Sequence, residues 1–228
     1  KTGFEEVVIG LSGGIDSTVT ANLAVDAIGK DNVYGVTLPS SVSSDKNITD
    51  AEKVADNLGM RFNELNISDI NDQYVSRIKE GVDTSSGLKT ITKENIQARI
   101  RGVILMGIAN EENRLVLTPD NKSEAAVGYC TLYGDAIGAI GPLGDCTKDR
   151  VYDLARSFNK NPANNCSDKP IPQSVISKNP TAELSEEQKD TDDIPPYDVI
   201  DTVVKLYVEE DKTLDEMNQL MDVDKSVI

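Results

Sequence analysis

The 228-residue chain sets 23 Lys and Arg against 39 Asp and Glu, a formal charge of −16, and contains no histidine. Acidity spread along the whole chain excludes nonspecific nucleic-acid binding, and the lack of histidine excludes a Ser-His-Asp triad, a Cys-His nucleophile and a histidine-completed zinc set. Three widely spaced cysteines, Cys130, Cys146 and Cys166, without a Cys-x-x-Cys pair fit reduced thiols and a cytoplasmic location rather than a disulfide framework.

The apolar run Val7-Val8-Ile9 ends at Gly10 and leads into Ser12-Gly13-Gly14-Ile15-Asp16-Ser17. This is the pattern of a buried parallel strand, a glycine turn and a helix over 18–28 stopped by Gly29. Gly13 and Gly14 let the backbone approach an anion while Ser12, Ser17 and the helix amides supply donors, which makes the turn a phosphate cradle. Asp16 would repel a phosphate unless a cation stood between them, so its presence points to Mg2+ bridging to a nucleotide. Glycines used for packing and an aspartate complementing the helix dipole would leave the same residues.

A second strand is expected over 33–38, and after a serine-rich loop Thr49 and Glu52 have the form of a capping box opening a helix. A third strand over 61–67 and a helix over 68–79 complete three strand-helix units. The fold class that follows is α/β, a doubly wound parallel sheet flanked by helices, with ligands at the carboxyl ends of the strands. Leu38, at such an end, is either a neighbour of adenine or a buried strand terminus. Residues 81–91, polar and aperiodic around Ser85-Ser86-Gly87, are expected to form a mobile loop beside the site. Thr92 is then placed to cap a helix with Ile96, Ile100, Val103 and Gly107 on one face. Asn95 and Arg99, at i and i+4, either grip one ligand together or form a solvated stripe.

A short strand over 114–118 delivers Pro119-Asp120-Asn121-Lys122-Ser123-Glu124 to the edge of the sheet that holds the glycine turn. Glu124 opens a helix, where it complements the dipole or joins Asp16 on Mg2+. Tyr129 is available to stack on a flat ring or to pack, and the small apolar run 137–144 reads as buried loop. Lys148 starts a helix to about 159 against the dipole, a placement that an anionic ligand explains. A long loop over 159–172, a turn around 178–184 and, after Pro195-Pro196, helices over 197–209 and 213–221 complete one domain over 1–228, with 160–228 its helical and loop extension. No apolar run approaches the ~20 residues that span a bilayer.

Ser12-Gly13-Gly14-Ile15-Asp16-Ser17 resembles the SGGxDS signature of the ATP pyrophosphatases, which cleave ATP between the α and β phosphates and adenylate a substrate. Further motifs follow in the order seen in NAD synthetases: Pro39-Ser40, Ser43-Ser44-Asp45, Glu94-Asn95-Ile96-Gln97-Ala98-Arg99-Ile100-Arg101, Asn121-Lys122-Ser123-Glu124, Gly128-Tyr129-Cys130-Thr131-Leu132-Tyr133-Gly134-Asp135 and Pro180-Thr181-Ala182-Glu183-Leu184. Nearly the whole chain therefore resembles that family, most of all the synthetase part of its glutamine-dependent branch. The resemblance implies an adenine nucleotide alpha hydrolase-like fold and a ligase that forms NAD from deamido-NAD, ATP and ammonia through an adenylate. It implies that Ser12, Gly13, Gly14, Asp16, Ser17, Leu38, Thr118 and Lys148 bind ATP, and that Asp16 and Glu124 hold Mg2+. Asn95, Arg99, Tyr129, Asp135 and Lys178 would line the deamido-NAD pocket, with Lys148, Asp135 and Thr181 serving the chemistry. A homodimer or larger homo-oligomer with substrate sites at a subunit interface is implied too, with ammonia taken free or from a glutaminase domain or subunit. Pro119-Asp120 departs from the family's usual Thr-Gly at this point, adding a charge and stiffening the loop. Another ATP pyrophosphatase, or a nucleotide-binding module without catalysis, stays open as an alternative.

Overall fold

The computed structural model describes residues 3–83, 85, 87–162, 166–181, 184–185, 190–221 and 223. Four strands, β1 (Val7–Gly10), β2 (Val33–Thr37), β3 (Arg61–Glu64) and β4 (Leu115–Leu117), form one parallel sheet in the order β3-β2-β1-β4. The helices are α1 (Ile15–Ile28), α2 (Asp45–Leu58), α3 (Ser68–Gly81), α4 (Thr90–Glu112), α5 (Lys122–Val127), α6 (Lys148–Lys160), α7 (Gln173–Ser177), α8 (Tyr197–Val203) and α9 (Leu214–Leu220). A π-helical stretch, Val204–Glu209, prolongs α8 to the end expected for that helix.

Alternation along β1 divides the core in two. Val7 and Ile9 pack with Val19, Val54, Leu58, Val151 and Ala155 of α1, α2 and α6, whereas Val8 joins Tyr34, Val36, Ile96, Ile100 and Leu105 on the opposite face. Each fully buried Val, Leu or Ile contributes roughly 1.5–3 kcal/mol, so these two layers hold the sheet in place. The chain steps outward from β1 to β2 and β3 and then returns to the other side of β1 with β4. Strand order reverses between β1 and β4, and a crevice opens beyond their carboxyl ends.

Some local expectations change. Helix α2 starts at Asp45 because Ser44 accepts from Asn47 N (3.3 Å) and caps it, while Thr49 lies inside the helix and donates to the Asp45 carbonyl (2.8 Å). The third strand stops at Glu64, and α4 starts at Thr90 with Lys89, not Thr92, in the N-cap position. Ile96 and Ile100 of α4 are buried as expected, but Val103 and Gly107 are exposed; the inward stripe is completed by Ala98, Gly102, Leu105 and Ala109. Small residues decide this, since they let α4 touch the loop around residue 134. A Cβ on Gly102 would meet Tyr133 O at 3.0 Å, and one on Gly134 would meet Ala98 Cβ at 2.8 Å.

The run 137–144 is not a buried loop. Gly138, Ala139, Ile140 and Gly141 are exposed, and only Leu143 is fully covered. Gly138, Ala139 and Gly141 carry too little apolar area to force burial; the backbone of Ala139 and Ile140 instead pairs with the edge of β4, through Ala139 N to Val116 O (2.8 Å) and Thr118 N to Ile140 O (3.0 Å). Of the loop expected over 81–91, Gly81 ends α3 and Thr90 and Ile91 open α4. Ser86, Ala182 and Glu183, and residues 163–165 of the loop expected over 159–172, lie outside the described residues.

Candidate active site

The turn after β1 is shaped by one glycine. Gly13 has φ +76°, and a Cβ there would stand 2.2 Å from the Asn47 carbonyl oxygen of α2. Around it, Ser17 Oγ accepts from Ser12 N (3.2 Å) and lies 3.1 Å from Ser12 Oγ, which accepts from Gly14 N (3.2 Å). No side chain caps α1 at Gly14, so the partial positive charge of the helix end faces the crevice.

Across the crevice from this turn, Lys148 is only 2% exposed, and its Nζ lies 2.7 Å from Asp16 Oδ2 and 2.8 Å from Glu124 Oε1. The surrounding backbone is well tied. Asn121 caps α5 by accepting from Glu124 N (3.0 Å) while its amide donates to Asp16 Oδ1 (2.9 Å). At the start of α6, Lys148 N donates to Ser123 Oγ (2.9 Å) and Asp149 N to Asp201 Oδ2 (3.0 Å); Ser123 donates in turn to the other Asp201 oxygen. One ammonium between two carboxylates leaves a negative charge unbalanced. Burial, then the Asp16 charge, push Glu124 up to about 7 against the pull of Lys148. Burial disfavours the Lys148 ammonium, but Asp16 and Glu124 outweigh it and hold Lys148 above its ordinary range.

The cavity in front of these groups measures about 510 Å³. Its apolar end is lined by Val36, Leu38, Leu105, Leu117 and Ile137, and Arg101, also on its wall, donates from Nε to the Leu38 carbonyl (2.9 Å). Its polar end has Asn95, which accepts from the Thr131 hydroxyl (2.8 Å), and Asp135, which accepts from Thr131 N (2.9 Å). Partial loss of hydration at its carboxyl raises Asp135 above the ordinary carboxylate range although the residue as a whole is exposed, and burial with the Asp135 charge pushes Asp120 up to about 6. Tyr129 donates to Asp190 (3.3 Å), and burial raises its phenol above the usual value. Lys178 donates to the Gly13 carbonyl (2.8 Å) and to Asn47, with Asp50 at 3.8 Å.

Ser12, Gly14, Asp16, Ser17, Leu38, Asn95, Glu124, Tyr129, Asp135, Lys148, Lys178 and Thr181 thus line one cavity, with Gly13 directly behind it. Two expected residues do not line it. Thr118 spends its amide on Ile140 O and its hydroxyl on Asp135 O (3.1 Å), bracing the loop. Arg99 is exposed and donates from Nε to Leu132 O (3.1 Å); two residues on, nearly half a turn round the helix, Arg101 faces the cavity instead. Asp190 and Tyr197 escaped the sequence reading. The one local sign was an aromatic residue opening a helix immediately after Pro195-Pro196.

The donor set fits Mg2+. Asp16 and Glu124 converge on one ammonium and carry one charge too many, and Mg2+ characteristically takes one or two carboxylates plus substrate phosphate oxygens. Among the described residues no group of three or more His, Cys, Asp or Glu forms an all-protein metal cage.

Comparison with known proteins bears on the chain as a whole. The family model for NAD synthase matches residues 1–228. The chain is 44% identical over 218 residues to the glutamine-dependent NAD(+) synthetase of Synechocystis sp., covering 95% of this chain but 38% of that relative. Among solved structures, the glutamine-dependent NAD+ synthetase of Acinetobacter baumannii in complex with adenosine diphosphate superposes with a TM-score of 0.72 at 36% identity, over 99% of this chain and 39% of that one. The NH3-dependent NAD synthetase of Campylobacter jejuni superposes with a TM-score of 0.75 at 28% identity, over 99% and 81%. The chain spans about two fifths of the glutamine-dependent relatives and about four fifths of the ammonia-dependent one. A single family model running the full length of a parallel sheet whose switch point carries this serine-glycine turn and ion triad leads to one conclusion: the chain belongs to the NAD synthase family.

Proposed function

We propose that this chain amidates deamido-NAD to NAD at the expense of ATP. The Asp16–Lys148–Glu124 triad facing the serine-glycine turn carries this reading, because it gathers what a triphosphate with a divalent cation requires on the wall of a cavity that Asn95, Tyr129 and Asp135 also line. Ser12, Gly14, Ser17 and the α1 N-terminus would receive phosphate oxygens, and the slot at Leu38 the adenine. A nicotinate carboxylate oxygen attacks the α-phosphorus, the bond to the bridging oxygen breaks and pyrophosphate leaves. Ammonia then adds at the carbonyl carbon of the mixed anhydride, AMP departs with the oxygen and the nitrogen sheds protons. The nucleophile is already an anion, so the site needs charge neutralisation more than a strong base, in keeping with its lack of histidine. Lys148 supplies a fixed cation; Asp16 and Glu124 would hold Mg2+, which contributes further neutralisation of the leaving pyrophosphate. Asn95, Tyr129 and Asp135, with Thr181 on the same cavity, form the wall proposed for the pyridine substrate.

A homodimer belongs to the proposal. The exposed side of α4 presents Val103, 64% exposed, with Met106, and the adjoining loop presents Leu132 and Tyr133, an apolar surface suited to a second copy. Ammonia would come free or from a glutaminase domain or subunit, in a cytoplasmic setting. The test is product analysis with Mg-ATP, deamido-NAD and either ammonium or glutamine. NAD, AMP and pyrophosphate from ammonium are expected. ATP binding without AMP formation under either condition would replace the ligase with a nucleotide-binding module.

A further inference from the structure

Tyr197 has one phenolic proton and two carboxylate oxygens within reach, Glu124 Oε1 at 3.1 Å and Asp190 Oδ2 at 2.8 Å. At any moment it fully serves only one. Glu124 belongs to the Lys148 triad, and the Tyr197 ring centre lies 4.6 Å from Lys148 Nζ. Asp190 looks the other way: it is 4% exposed and accepts on Oδ1 from Tyr129, on the wall proposed for the pyridine substrate. Helix α8 also has its own anchor, since Asp201, one turn beyond Tyr197, holds Asp149 N and Ser123. The hydroxyl is therefore presented to both carboxylates by a fixed element.

We propose that Tyr197 and Asp190 act as positioning residues in a relay that couples occupancy of the Asp16–Glu124 site by a metal-nucleotide complex to the setting of Tyr129, and hence to binding of the nicotinate substrate. The inference rests on the functional reading above. While Lys148 alone balances it, Glu124 competes with Asp190 for the Tyr197 proton. With Glu124 engaged, Tyr197 donates to Asp190 alone, and Asp190, held on one oxygen, fixes Tyr129 with the other. Two arrangements of one hydrogen bond, each favoured at a different site, are the physical requirement for such coupling.

Calorimetric titration of the full chain tests the relay without turnover. An α,β-methylene ATP analogue with Mg2+ and deamido-NAD are each titrated alone and against saturating partner ligand. In the wild type each ligand should tighten the other by the same factor, roughly fivefold or more. Tyr197→Phe keeps the ring beside Lys148 and removes only the hydroxyl, and Asp190→Asn keeps the shape while weakening the acceptor. Both should bring the factor close to one, with Mg-analogue affinity alone changing far less. Circular dichroism identifies any variant that does not fold, and the other then carries the comparison. Coupling that persists in the folded variants overturns the relay alone. Failure of the wild type to bind deamido-NAD overturns the functional reading and the relay with it.

Discussion

Lys148→Met isolates the electrostatics of the site. The methionine fills much of the same volume, so the main change is loss of an ammonium that is 3% exposed and bonded to carboxylates of 20% and 15% exposure. Removing one partner of a buried ion pair typically costs about 3–5 kcal/mol, because the remaining charge is left uncompensated. For a chain of this length 1 kcal/mol corresponds to about 2–4 °C, so the variant should melt about 6–20 °C below the wild type at pH 8. The loss should shrink on acidification. Glu124 already titrates near 7 in the folded chain, above the 4.5 of an unperturbed glutamate. A raised folded value means stability is present below the unfolded value and lost as pH rises through the folded one, and without Lys148 that penalty grows. Melting followed by circular dichroism from pH 5 to 8, with and without millimolar Mg2+, measures both effects, and Mg2+ should restore part of the loss by neutralising the carboxylates. A decrease of less than about 2 °C at pH 8, or one independent of pH, would refute the argument that this lysine balances the pair.

Gly13→Ala forces a side chain into a left-handed position and against the Asn47 carbonyl; urea unfolding should show a loss of about 2 kcal/mol or more, with ATP-analogue affinity falling too. Asp120→Asn removes a carboxyl raised from 3.8 to about 6, chiefly by burial. The stability associated with that raised value is present below pH 4 and lost as pH climbs past 6, so the variant should exceed the wild type by about 2 kcal/mol at pH 8, after discounting for the part of the carboxyl that water reaches, and match it below pH 4, measured by denaturant titration. Ser123→Ala deprives Lys148 N of its acceptor and Asp201 of a donor; a loss of about 1–3 kcal/mol is expected, accompanied by a fall in kcat larger than any change in the KM for deamido-NAD.

The amino-acid sequence by itself determined the strand, glycine turn and helix over residues 7–28, and with them the phosphate-facing turn. Every preference involved is local: a doubly buried strand reads as an unbroken apolar run, and only glycine fits at position 13. The same holds for Glu124 in the first turn of α5, where Asn121 provides the cap. Local signals failed where packing chose between faces. Ile96 and Ile100 marked one buried side of α4, but Ala98 and Gly102 let the helix approach the loop around residue 134, with Arg101 at the cavity and Arg99 turned away. Only the tertiary structure joined Lys148 to Asp16, 132 residues apart, and brought Tyr197 and Asp190 to the same site. Helical and strand periodicities specify which way a side chain leaves its own backbone, but its partner is chosen when distant elements dock, and no short-range rule carries that information.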